Sequence, residues 1–134
     1  MVAAAVTKDH HHRTCVDLLT GLRLANRDLL LPATVSAEVG YLLDSYSGPA
    51  AEARFLRGVA DGDFEPVDLT DDDYQRMSEL VEQDADLPLG TTDASVIALA
   101  ERLDINEIAT LDRRHFTVVR PRHVDAFTLL PERL

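Results

Sequence analysis

The chain has 134 residues, 46% hydrophobic and 28% charged, a length and composition that fit one globular domain able to bury a core without staples. A single cysteine, Cys15, excludes an intrachain disulfide, and no paired Cys/His spacing suggests zinc. The net charge of -11 works against non-specific nucleic-acid binding and favours a metal site or a basic partner.

Met1 to Val6 is apolar, but no basic residue precedes it, and it is too short for a signal core or a membrane span. No targeting segment or membrane association is expected, and the lone cysteine suits a reducing, cytoplasmic setting. His12 to Ala25 reads as a helix with Cys15, Leu18, Leu19 and Leu22 on one stripe. Asp28 to Leu31 is a short strand ended by Pro32. Thr34 to Tyr46 is a helix stopped by Ser47-Gly48-Pro49. Ala50 to Ala60 follows as a helix with Phe55, Leu56 and Val59 inward. Phe64 to Leu69 reads as a strand. Thr70 and Asp73 have the shape of a capping box, opening a helix to about Asp84. Asp86 to Gly90 is a loop, Thr92 to Leu103 an apolar helix and Asn106 to Leu111 a strand with Asp112 directly after it. Phe116 to Val119 and Phe127 to Leu130 read as short strands separated by Pro121. Strands alternating with helices predict an α/β fold with a mostly parallel sheet flanked by helices. Phe55, Val96, Ile97 and Leu111 are expected in the core.

Three of the 24 acidic residues differ from a solvated surface. Glu38 shares a helical stripe with Val35 and Leu42, so its carboxylate is expected to point partly inward, although a tilt to the polar edge and an arginine partner would also serve. Asp93 shares a face with Val96, Ile97 and Ala100 in a first helical turn, where the dipole favours an anion; simple capping is the bland explanation. Asp112 stands at a strand's carboxyl end, where parallel sheets gather ligands, and a turn cap is its alternative. Three such acids brought together by one sheet would repel one another unless a hard cation such as Mg²⁺ or Mn²⁺ took their oxygens. No Gly-rich phosphate loop and no Gly-x-Ser-x-Gly elbow is present. His10, His11 and His12 point in different directions on a helix and are read as solvated or capping.

These segments resemble a known family. Val35-Ser36-Ala37-Glu38-Val39-Gly40-Tyr41-Leu42 resembles the V-x-A-E helix of PIN domains. Gly90-Thr91-Thr92-Asp93-Ala94 resembles their G-x-x-D-A helix start, and Ile108 to Phe116, with Thr110 two residues before Asp112, their T-x-D strand end. Val2 to Leu19 is similar to the family's opening helical stretch. Size and motif order are most similar to the bacterial VapC toxins of toxin–antitoxin systems. The resemblance implies a three-layer α/β fold and a Mg²⁺- or Mn²⁺-dependent endoribonuclease. Glu38, Asp93 and Asp112 would be its catalytic, metal-holding acids, and Thr110 would support the last of them. Arg113, Arg114 and Lys8 would hold RNA phosphates, a local basic rim that offsets the acidic surface. It also implies a VapB-type antitoxin as partner and a homodimer.

The family carries a further aspartate at the end of its first strand. Aligned on the opening helix, that residue falls a few positions upstream of Met1, and Asp9 and Asp17 lie too far into the helical region to replace it. The expectation is therefore a single domain over residues 1–134, lacking the first strand and one metal ligand, with weak or no cleavage by the chain as it stands. The alternative function is a catalytically impaired module that binds antitoxin or RNA without cleaving. A phosphoacceptor domain ranks low, because Lys8 is the only lysine and such a domain needs one after a late strand.

Overall fold

Local sequence sets most of the elements. The computed structural model describes residues 12–83, 89–110 and 113–131, in two compact units, Met1–Val67 and Asp68–Arg133. The first holds α1 (His12–Leu24), β1 (Leu30–Pro32), α2 (Ala33–Ser47), α3 (Pro49–Ala60) and β2 (Glu65–Val67). β1 pairs with β2 in parallel, Leu31 opposite Pro66. Pro32 closes β1 and is also the N-cap of α2. Proline suits that boundary because its fixed φ fits an extended residue. Gly48, at φ 81°, breaks α2 from α3, and Pro49 opens α3 at its first helical position, where a missing N–H costs nothing.

The first unit's core is Leu31, Val39, Leu43, Ala51 and Phe55, with Val35, Val59 and Phe64 packed against it. Its stripes run Val35–Val39–Leu43 on α2 and Ala51–Phe55–Val59 on α3, each at four-residue spacing. Two expectations are corrected by this phase. Glu38 sits one position off the buried stripe and is exposed rather than inward. Leu56 is 52% exposed, because Phe55 takes the core-facing position beside Phe64, 6.0 Å between ring centroids.

The second unit holds α4 (Asp71–Gln83), α5 (Thr91–Arg102), β3 (Glu107–Ala109), α6 (Arg114–Val118) and β4 (Thr128–Leu130). β3 pairs with β4 in parallel, Ile108 opposite Leu129. The parallel pairing matches the α/β expectation, with one two-stranded ladder in each unit. Of the expected strand over Phe116 to Val119, Phe116 to Val118 lie instead in the helix α6, and Val119 is its C-cap. Its apolar residues are too few to fix a period, and Phe116 and Val119 bury together three residues apart, a helical and not a strand spacing. Leu111, expected in the core, lies outside the described residues. Val96 is half-buried against the core.

α4 opens on the capping box that the sequence suggested. The Thr70 N–H donates to Asp73 Oδ2 at 2.9 Å and the Asp73 N–H donates to Thr70 Oγ1 at 3.2 Å. Asp73 is 3% exposed, and Nε of Arg102 reaches both of its carboxylate oxygens at 3.0 Å. Arg76 on α4 grips Glu101 on α5 through Nε at 2.7 Å and Nη2 at 3.0 Å. The Arg122 backbone N–H adds a third donor to Glu101. Burial by itself would push both carboxyls up, but these hydrogen bonds and the facing guanidinium charges hold Asp73 and Glu101 below their ordinary values. Beneath them lies a core of Met77, Leu80, Leu89, Ala94, Ile97, Ala98, Ala100, Ile108, Phe116, Val119 and Phe127. α5 ends by turning Asp104 to φ 56°, so that the Ile105 N–H donates to Ala100 O at 2.8 Å and the Asp104 N–H to Glu101 O at 3.4 Å, satisfying carbonyls that the helix end would orphan.

Ile97 is wholly buried, so Ile97→Ala is expected to cost about 2–5 kcal/mol in a denaturant titration, whereas Leu56→Ala should change stability by no more than about 0.5 kcal/mol. Because the folded values of Asp73 and Glu101 lie below the unfolded ones, their contribution is complete above pH about 4 and is lost as pH falls through the folded values. Asp73→Asn should lower stability by about 1–3 kcal/mol at neutral pH and flatten the acid limb of the stability profile, measured by urea midpoint against pH.

Candidate functional site

Asp93 occupies the first turn of α5, three residues after Gly90. Gly90 takes φ 57° and ψ 156°, a left-handed conformation that glycine adopts without penalty, and its carbonyl receives the Ala94 N–H at 3.1 Å. The helix behind Asp93 is fixed by burial: Ala94, Ser95, Ile97, Ala98, Leu99 and Ala100 are all buried, and the Ser95 hydroxyl donates to Thr92 O at 2.6 Å. The carboxylate thus stands on a rigid base with its side chain 34% exposed.

Asp93 is not alone. His115 of α6 brings Nδ1 to 2.7 Å from Asp93 Oδ2, and its side chain is only 13% exposed. A carboxylate accepts, so Nδ1 carries the donated hydrogen and Nε2 is the other ring nitrogen. The pair uses one carboxylate oxygen. His115 is a residue to which the sequence assigned no role. It stands three positions after Asp112 in the strand-end motif, but its partner is 22 residues earlier, and no periodicity connects the two.

Thr110 follows β3, and its backbone N–H donates to Leu130 O at 3.0 Å, which extends the β3–β4 ladder to the motif. Arg113 is half-buried and donates Nη2 to the Pro131 carbonyl just past β4, while its Nε is buried without a hydrogen-bond partner among the described residues. Arg114 is exposed. Asp112 and Lys8 lie outside the described residues. Glu38 is exposed on α2 in the first unit and Asp93 stands in the second. Among the described residues no three His, Cys, Asp or Glu side chains group so as to hold a metal ion. The donor chemistry at Asp93 nevertheless suits a hard divalent cation: a carboxylate, accessible, fixed on rigid backbone, with one oxygen outside the hydrogen bond to His115.

The family model described as the PIN domain matches residues 1–120. The chain belongs to the PIN domain family. Over 103 residues, 77% of this chain and 76% of the relative, it is 34% identical to Ribonuclease VapC26 of Mycobacterium tuberculosis. The crystal structure of Mycobacterium tuberculosis VapC20, described as a sarcin-ricin loop cleaving toxin, superposes with a TM-score of 0.73, covering 85% of each chain at 16% identity. At that identity the likeness is one of fold, and it agrees with the expected PIN-like α/β architecture. The matched span contains Glu38, Asp93, Thr110 and the Asp112-to-Phe116 segment. Among the described residues no helix is long and apolar enough to cross a membrane.

In metal-free buffer Asp93→Asn is expected to lower stability by about 0.3–1 kcal/mol, through loss of the anion at the positive end of α5. A gain in stability would instead reveal net repulsion from neighbouring carboxylates; thermal or urea unfolding in EDTA reads the sign.

Proposed function

We propose that this PIN domain is a Mg²⁺- or Mn²⁺-dependent endoribonuclease toxin of the VapC type, hydrolysing RNA phosphodiester bonds and inhibited by a VapB-type antitoxin. The observation that carries the reading is the placement of Asp93: an accessible carboxylate fixed at the head of a buried helix, in a domain whose relative at 34% identity is named a ribonuclease. In this reading the protein works in the cytoplasm as a homodimer.

Asp93, Asp112 and Glu38 would hold the cation. A divalent ion bound there would lower the pKa of a water and offset the charge that builds on the phosphate. Thr110, fixed through its backbone to β4, would support the Asp112 carboxylate two residues on. Arg114, exposed on α6, would take an RNA phosphate, with Arg113 and Lys8 as further candidates. Arg113 donates one guanidinium nitrogen to the Pro131 carbonyl, which leaves its other N–H groups to reach a phosphate. A few cationic groups beside a metal answer the objection from the overall charge of -11, because screening confines the distant acids to about 8–10 Å at physiological salt.

Whatever RNA cleavage the chain performs, weak as it is expected to be, should need Mn²⁺ or Mg²⁺ and vanish in EDTA. Asp93→Asn, Asp112→Asn and Glu38→Gln should each lower the rate by about two orders of magnitude or more. Cleavage that survives EDTA, or variants as active as the parent, would overturn the reading. A folded chain that binds RNA or a VapB-type antitoxin and never cleaves would identify the impaired binding module instead. Mn²⁺ at about 100 times its Kd should also stabilise the fold by about 2.7 kcal/mol, seen as a raised melting midpoint that Asp93→Asn abolishes.

A further inference from the structure

We propose that His115 is a positioning residue of the metal site, acting through Asp93. The proposal deepens the metal-dependent reading above and rests on it. A half-exposed aspartate rotates about two bonds, and its two oxygens are equivalent to an arriving cation. Here they are not equivalent. Oδ2 is taken by Nδ1 of His115 at 2.7 Å, at the short end of the range for a nitrogen donor and a charged oxygen. Oδ1 is left for the cation, and donor and metal do not compete for the same lone pairs.

The ring is itself held in place. Its neighbour Phe116 is 5% exposed and meets Phe127 edge-on, with 6.4 Å between centroids and 78° between planes. The buried Val119 donates its N–H back to the His115 carbonyl at 3.0 Å. With the ring 13% exposed, water competes poorly for the hydrogen bond. The orientation of Asp93 is therefore fixed by folding, before any cation arrives, and the entropy of ordering the carboxylate does not oppose binding. A hydrogen-bond donor behind a ligand acts in this way in metal sites generally.

The competing account is a tether that merely joins α6 to α5 and leaves metal affinity alone. The test is Mn²⁺ affinity of the full chain, from free Mn²⁺ measured by electron paramagnetic resonance, with melting curves in EDTA for each variant. His115→Ala should weaken Mn²⁺ binding about 10-fold or more. His115→Asn places an amide N–H where Nδ1 stood and should return the affinity to within about threefold of the parent. His115→Gln carries its amide one methylene farther out and should not. If His115→Ala fails to fold, the Asn and Gln variants, which differ only in reach, carry the comparison. Parental affinity in the Ala or Gln variant, or equal affinities in Asn and Gln, overturns the proposal. So does tighter binding without the imidazole, which would make His115 a competitor of the cation. Asp93→Asn keeps the two levels apart: if the parent binds no Mn²⁺, or Asp93→Asn binds it as tightly as the parent, the metal reading itself fails.

Discussion

The burial of α5 is the constraint on which the second unit depends. A helix enclosed on most of its circumference has no polar face to give away, and α5 accordingly uses small residues where neighbours press close: Ala94, Ala98 and Ala100, each 3% exposed or less. Ile97 fills the larger space, and the one buried hydroxyl, Ser95, is satisfied within the helix. Such a helix can be polar only at its ends. Asp93 stands at one end and Glu101 with Arg102 at the other. The enclosure that makes α5 rigid also makes its first turn a firm mount for a carboxylate, so stability and site are set by the same packing.

Charge is used differently at those two ends. At the C-terminal end, the acids are taken up by Arg76, Arg102 and Arg122 in hydrogen-bonded pairs that lock α4 to α5. Burying Asp73 or Glu101 would be costly without those donors, and with them both carboxyls titrate below their ordinary values. At the N-terminal end no arginine among the described residues is paired with Asp93; the partner is a histidine, which offers one donor and occupies one oxygen. The contrast is between acids buried in ion pairs that hold helices together and one that stays partly exposed. Within a chain this acidic, it is partner and burial that distinguish the two settings, because the residue type does not.

PIN-family membership gives these placements a common sense. Glu38, Asp93 and Asp112 occupy the motif positions by which the resemblance was drawn; Val39 and Gly40 next to Glu38 are buried, as is the run of α5 behind Asp93, and the β3–β4 ladder leads into Thr110. Glu38 itself is exposed.

Much of this was legible in the residues alone. Periodicity gave α1 to α5 to within a few residues, the Thr70–Asp73 spacing gave the capping box, and Gly48-Pro49 gave the break between helices, because each is a local property of the backbone and its nearest side chains. Motif order pointed to the PIN family because spacing along a chain is itself sequence. Local pattern misled where a stretch was too short to show a period, as at Phe116 to Val119, or where one residue of phase decided burial, as for Glu38 and Leu56. Tertiary structure alone decided the pairings across 22 to 29 residues: His115 with Asp93, Arg76 with Glu101, Arg102 with Asp73. Such contacts depend on how helices close on a common core, and a single sequence records the residues that can pair but not the packing that selects which of them do.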